Sequence, residues 1–226
     1  MPDGSVLFGE YLDNAERGRI HVFRLPAGES KIEIAHSFAE GDIRHIHSVN
    51  WDPYAARVVI ATGDVGDECK LLSFSADFTE CAAVGEGGED WRMISPQFTS
   101  DSIYFGTDAQ YQVNAIKRYD RRSGMSISLA KVNGPVFYSA PCRQGWLFAT
   151  AAEMCVSQTT PEAILYYVDP ADDTVTPIAN FAKDYLSTKY FQFGLLSLPI
   201  ITRPQEVIPI SGTALKGIDG KFFAVT

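Results

Sequence analysis

The sequence predicts an all-β protein, a β-propeller of about five four-stranded blades, built as one domain over residues 1–226. Two observations predict this fold. Short strand-like apolar runs recur along the whole chain, and an acidic residue recurs at the same place in the pattern with a period near 45 residues. Such a period, with about four strands per unit, is typical of propeller blades.

The strands are predicted from composition. Apolar runs of about five to eight residues are rich in Val, Ile, Phe and Tyr and are bounded by Gly, Asp, Asn and Pro, which is the pattern of β-strands and turns. No long amphipathic helix is found, and the best short helical candidate is 182–188.

The repeat is carried by four acids, each of which ends an apolar strand and precedes a loop and another strand. They are Glu10, Asp64, Asp108 and Glu153, separated by 54, 44 and 45 residues. A preceding strand is predicted at 43–51, 91–99 and 135–142. The chain therefore opens at the second strand of a blade and stops near the third strand of another. Either a closed ring of about five blades or a part of a larger propeller fits, and a β-sandwich with a chance period fits less well.

Composition excludes several classes of function. There are 28 acidic against 19 basic residues, for a net charge of −9, and no basic stripe. Nucleic acid and membrane surfaces are therefore not expected partners. No apolar run reaches the length of about 18 residues that a membrane span needs, and the first residues lack a signal-peptide pattern, which favours the cytoplasm. Four cysteines without metal or redox spacing predict free thiols.

In a propeller, the loops that enter the innermost strands and those that follow the second strands open on one face. The polar residues there are therefore expected to gather at one mouth of the central channel. The candidates for catalysis are His45, His47, Asp64, Asp108 and Tyr138. The candidates for substrate binding are Glu10, Arg44, Glu68, Trp91, Arg92 and Glu153. A channel mouth lined by this many polar residues suits a carbohydrate or another polar small ligand.

Simpler interpretations of these residues remain open. Any one of the acids can bind backbone N–H groups in its turn, and the arginines can be plain ion-pair partners. His45 and His47, two apart on a strand, share one face at about 6.6 Å. With Asp64 or Glu68 they could hold a divalent metal, but no spacing rule demands one, so no cofactor is predicted.

Several segments resemble bacterial sialidase-like propellers with BNR repeats. They include 44–49 with 52–54, 61–64, 105–108 and 134–139, and the resemblance covers roughly residues 5–155. It implies a propeller and a carbohydrate-related function. The stretch 75–81, nearest to the Asp-box of such repeats, lacks its glycine and its aromatic residue.

Two classes of function follow. An enzyme acting on an anionic sugar would hold the carboxylate with Arg44 and Arg92. A glycoside hydrolase would pair Asp64 with Asp108, whereas a lyase would take its base from the histidines or Tyr138. The alternative is a non-catalytic propeller that binds a glycan or a protein through its aromatic residues. The sequence makes no prediction of the oligomeric state.

Overall fold

The structure, a computed structural model, describes residues 1–226. It holds 18 β-strands, two short 3-10 turns and no α-helix. The strands form five separate sheets, each made of consecutive antiparallel strands. The chain divides into two compact units, Met1–Arg92 and Met93–Thr226.

The first unit contains two sheets. The three-stranded sheet consists of β1 (Val6–Gly9), β2 (Ile20–Leu25) and β3 (Glu33–Phe38). The four-stranded sheet consists of β4 (Ile46–Asp52), β5 (Arg57–Thr62), β6 (Lys70–Phe74) and β7 (Cys81–Glu86). The 3-10 turns Gly66–Glu68 and Glu89–Trp91 belong to this unit.

The second unit contains three sheets. The first consists of β8 (Gln97–Phe98), β9 (Ser102–Gly106), β10 (Ala115–Asp120) and β11 (Met125–Lys131). The next consists of β12 (Val136–Cys142), β13 (Gly145–Thr150), β14 (Glu162–Asp169) and β15 (Thr174–Ala182). The last has three strands, β16 (Leu195–Ser197), β17 (Ile208–Thr213) and β18 (Phe222–Val225).

The hydrophobic core lies between consecutive sheets of each unit. In the first unit, buried residues of β2, such as Val22, pack with Ile46, Ile60 and Phe74 of the second sheet. In the second unit, one cluster joins the β8–β11 and β12–β15 sheets, and another joins β12–β15 to β16–β18. Within each unit, consecutive sheets thus bury a face against each other, as layered packing requires.

Glycines stand where two sheets approach closely. A Cβ on Gly9 of β1 would lie 2.4 Å from the side chain of Ile46, and one on Gly106 of β9 would lie 2.4 Å from Val136. Only a residue without a side chain lets the next sheet pack at that distance.

Several sequence predictions need correction. The helical candidate 182–188 is the end of β15 followed by turns. The strand predicted over 91–99 shrinks to Gln97–Phe98, because residues 89–91 form a 3-10 turn and Pro96 has no backbone N–H for a ladder. Three sheets have four strands, and the first and last have three. The prediction of free thiols is confirmed for all four cysteines. No helix of the structure is long and apolar enough to cross a membrane.

Candidate functional site

The candidate site lies in the first unit, where β4 begins and β5 ends. The Gly63 N–H donates to the carbonyl of His45 at 3.1 Å, which holds the residue before Asp64 against the entry to β4. The pairing of the two strands shifts register between Ile46 and Ser48, so that His47 is the extra residue of a bulge. The two histidine rings lie 4.9 Å apart between centroids and both contact Asp64.

Four cationic or hydrogen-bonding side chains surround the Asp64 carboxylate. Its Oδ1 lies 3.2 Å from Nε2 of His45, 3.2 Å from Nε2 of His47 and 3.2 Å from Nη2 of Arg92. Its Oδ2 accepts from Nη1 of Arg44 at 3.1 Å. Arg92 also donates through Nη1 to the backbone carbonyl of Asp64, at 3.3 Å. The Asp64 side chain is 12% exposed and that of Arg92 is 7% exposed, so the cluster is largely desolvated.

The loop between β1 and β2 closes one side of the cluster. Asp13 accepts from Nη2 of Arg44 at 2.7 Å. The Asn14 amide donates to the Arg44 carbonyl at 3.0 Å. The Tyr11 ring stacks on His45 with centroids 4.0 Å apart and meets His47 edge-on at 5.9 Å. Tyr11 is 66% exposed.

The loop after β5 is shaped by a glycine and a threonine. Gly63 has φ +77°, and a Cβ there would lie 2.0 Å from the carbonyl oxygen of Glu68, so glycine is required. The Thr62 hydroxyl donates to the same carbonyl at 2.8 Å. The Glu68 carboxylate pairs with Arg17 at 2.8 Å and accepts the backbone N–H of Arg44 at 3.0 Å. Glu68 therefore positions the backbone of Arg44.

The surroundings shift three pKa values. Burial alone would raise the pKa of Asp64, but the hydrogen bonds of His45 and His47 and the charge of Arg92 outweigh it and hold this pKa well below its usual range. Burial lowers the pKa of His47, against the opposing hydrogen bond to Asp64. The hydrogen bond to Asp13 raises the pKa of Arg44. Asp64 is thus ionised throughout the neutral range.

Two other predicted residues of the first unit have structural contacts. The Glu10 carboxylate accepts the backbone N–H of His21 at 2.7 Å, which is the turn-binding role left open for the acids. The Trp91 ring packs over Gly85 of β7, where a Cβ would meet it at 2.2 Å. Trp91 therefore covers a strand rather than standing free as a platform.

The remaining three candidates lie in the second unit. Asp108 is 3% exposed. Tyr138 is partly buried and packs against the core shared by the β12–β15 and β16–β18 sheets. Glu153 is half-buried.

Sequence reasoning missed two contributions of the β1–β2 loop. Asp13, whose side chain is 84% exposed, was not among the candidates, although it is the second carboxylate on Arg44. The carbonyl of Leu12 faces Nδ1 of His45 at 3.3 Å, and a backbone group leaves no trace in the sequence.

The residue types present could hold a metal ion. One ligand atom each of His45, His47 and Asp64 lie within 4.8 Å of one another. Two imidazoles and a carboxylate form a donor set of the kind that binds divalent transition metals. Cys69 is nearby in the chain but fully buried, and burial raises the pKa of its thiol to about 12.

Comparison with known proteins defines the fold. No family model and no curated sequence matches the chain. Solved structures match at low identity. TolB from Acinetobacter baumannii is 13% identical with a TM-score of 0.54, and the match covers 99% of this chain and 53% of TolB. An oligogalacturonate lyase in complex with manganese is 11% identical with a TM-score of 0.52, covering 77% of this chain and 46% of the lyase.

A putative TolB from Agrobacterium tumefaciens is 12% identical with a TM-score of 0.51, covering 79% of this chain and 62% of that one. The chain thus spans less than two thirds of the length of each of these structures. At such identities the likeness defines the fold and nothing more. The chain has an all-β fold of the β-propeller class, with five antiparallel sheets.

Proposed function

We propose that the cluster around Asp64 binds an anionic sugar through the sugar's carboxylate, and that the protein is a carbohydrate-active propeller. The observation that carries this proposal is that two guanidinium groups, those of Arg44 and Arg92, meet beside two imidazoles at one partly open place of an acidic protein. A chain with a net charge of −9 binds an anion only where positive groups are concentrated locally.

Arg44 is the group that would meet the sugar carboxylate. Its side chain is 34% exposed, and its outer nitrogen is paired only with Asp13, which is itself 84% exposed. An exposed ion pair of this kind contributes about 1 kcal/mol or less, so an incoming carboxylate can replace it. Arg92 is 7% exposed and bound to Asp64 through both nitrogens, which makes it a structural support.

Tyr11 would provide the apolar surface for the sugar ring. It rests on His45 with one face and is 66% exposed. An aromatic ring held rigidly beside a charged group is a common arrangement in polar-ligand sites, because it excludes water without adding a competing charge.

The cluster favours lyase chemistry over glycoside hydrolysis. A hydrolase needs one carboxylic acid that keeps its proton in order to donate it. In this cluster Asp64 contacts four cationic or donor groups, which hold it ionised, and the Glu68 carboxylate is engaged in an ion pair with Arg17. A β-elimination instead needs positive charge on the sugar carboxylate and a proton acceptor beside it. One structural neighbour is named an oligogalacturonate lyase, and the proposal takes the same class of acidic sugar as its first substrate.

The experiment compares an acidic and a neutral sugar. Isothermal titration calorimetry is run with galacturonate oligosaccharides and with galactose oligosaccharides of the same length. We expect binding of the acidic sugar only. We expect Arg44→Met to weaken it at least about tenfold, because a hydrogen bond to a charged group contributes about 1.5–3 kcal/mol. The matched control is Arg57→Met, since Arg57 is an arginine of the same unit that pairs with Glu80.

Turnover is followed separately through the ultraviolet absorbance of the unsaturated product of β-elimination. Binding with product supports the lyase. Binding without product supports the second candidate, a non-catalytic glycan-binding propeller, which the same arginine contacts would serve. Equal affinity for the neutral sugar, or an Arg44→Met protein that binds as well as Arg57→Met, contradicts the proposal.

A further inference from the structure

The two imidazoles of the site converge on one oxygen of Asp64. Nε2 of His45 and Nε2 of His47 each lie 3.2 Å from Oδ1. One ligand atom of each of the three residues lies within 4.8 Å of the others. The three atoms are therefore close enough to share one ion.

A spacing of this size is what ligands around a common ion show. Nitrogen and oxygen ligands lie about 2.0–2.2 Å from a divalent transition metal. Two such ligands at right angles or at the tetrahedral angle are then about 2.8–3.6 Å apart. The 3.2 Å separations of Asp64 Oδ1 from Nε2 of His45 and of His47 fall within that range.

The other ring nitrogen of His45 is held as well. Its Nδ1 lies 3.3 Å from the carbonyl oxygen of Leu12. Backbone carbonyls commonly orient metal-binding histidines through the ring nitrogen that is not a ligand.

We propose that His45, His47 and Asp64 bind one divalent first-row transition-metal ion through the two Nε2 atoms and a carboxylate oxygen. Two imidazoles favour such a metal over Mg²⁺ or Ca²⁺, which prefer ligand sets made of oxygen atoms. Arg92 donates from Nη2 to the same Oδ1 at 3.2 Å, and a hydrogen bond of this kind supports a ligating carboxylate.

The charges of the neighbourhood define what such an ion would do. Asp13, Asp64 and Glu68 pair with Arg17, Arg44 and Arg92. A bound divalent ion would add two positive charges beside Tyr11 and Arg44, and this charge would favour an anionic ligand. The role of the ion as a cofactor for an acidic sugar rests on the proposed function. The binding of the ion to the protein does not, so the test contains no sugar.

The test uses Mn²⁺ as the probe. The full chain is stripped with a chelator, and bound Mn²⁺ is measured by electron paramagnetic resonance. Electron spin echo modulation then detects any nitrogen coupled to the manganese. We expect about one ion per chain, coupling to imidazole nitrogen, displacement by Zn²⁺ and persistence in excess Mg²⁺. His47→Gln and Asp64→Asn should each lower the affinity at least tenfold.

The matched control is His21→Gln, because the His21 side chain contacts Ser37 on the neighbouring strand and takes no part in the cluster. Circular dichroism checks that each variant is folded, and the wild-type nitrogen coupling is informative even if a variant does not fold. The proposal is overturned if the folded wild type binds neither ion, if bound manganese shows no nitrogen coupling, or if His47→Gln binds as His21→Gln does. Metal binding without sugar binding would reject the proposed function and leave the metal site intact.

Discussion

Replacing Asp64 with Asn should destabilise the protein more than any other single polar change in the first unit. The substitution keeps the size and shape of the side chain and removes one negative charge. Arg92, whose side chain is 7% exposed, would then lose its ion pair with Asp64. Removing one partner of a buried ion pair costs about 3–5 kcal/mol. Since Asn still accepts a hydrogen bond, we expect about 3 kcal/mol.

The assay is urea unfolding in the presence of a chelator, followed by tryptophan fluorescence. With a slope of about 3 kcal/mol per molar urea, the expected loss lowers the midpoint by about 1 M. The control is Asp13→Asn, which removes a carboxylate from the exposed side of the same cluster and should cost about 0.5 kcal/mol. Equal midpoints for the two variants would refute the idea that Asp64 is the centre on which the cluster depends.

Three further predictions concern the loops and thiols around the site. Gly63→Ala should lower the free energy of unfolding by at least about 3 kcal/mol, because its Cβ would meet backbone at 2.0 Å. The control is Gly66→Ala, at a glycine that also has positive φ but open space around it, and it should cost about 1–2 kcal/mol. A smaller loss for Gly63→Ala than for Gly66→Ala in thermal melts would contradict the loop geometry. Asp13→Asn should strengthen binding of galacturonate oligosaccharides about twofold to fivefold in calorimetry, because it releases Arg44 from a surface ion pair. Weaker binding would mean that the Asp13 carboxylate contacts the sugar favourably. In the native protein at pH 8 a thiol reagent should modify the exposed Cys81 and spare Cys69, because burial raises the pKa of the Cys69 thiol to about 12. The modified cysteines are identified by peptide mass spectrometry, and modification of Cys69 first would argue against a closed cluster.

The architecture could be predicted from the sequence because it repeats. Alternating apolar runs define strands one by one, and the regular return of an acid after the second strand of each unit defines the sheets. The five sheets of the structure correspond to those units. The predictions that were wrong concern short segments of the chain. The short segment 182–188 has the composition of a helix, but β15 already occupies its first residue and turns follow.

The site could be predicted in part. The strand spacing of His45 and His47 indicated a shared face, and the repeat located Asp64 at a neighbouring strand end. The other repeated acids were assigned a common role on the same pattern, yet Glu10 binds the backbone of β2. Sequence pattern identifies equivalent positions, but the contacts of each loop decide whether a carboxylate faces a ligand or its own turn.

The approach of the β1–β2 loop to Arg44 and His45 could not be predicted. It depends on a carbonyl, a stacked ring and an exposed aspartate, Leu12, Tyr11 and Asp13. None of these has a spacing rule, because a loop's conformation follows from the surfaces on which it folds.

The most direct test of the account uses the four histidines of the chain. In protein labelled with nitrogen-15 at histidine, galacturonate oligosaccharide is added and the imidazole resonances are followed by nuclear magnetic resonance. The account predicts that the signals of His45 and His47 move while those of His21 and His36, which lie on β2 and β3, stay in place. Movement of the β2 and β3 histidines alone, or of none of the four at saturating sugar, would contradict it.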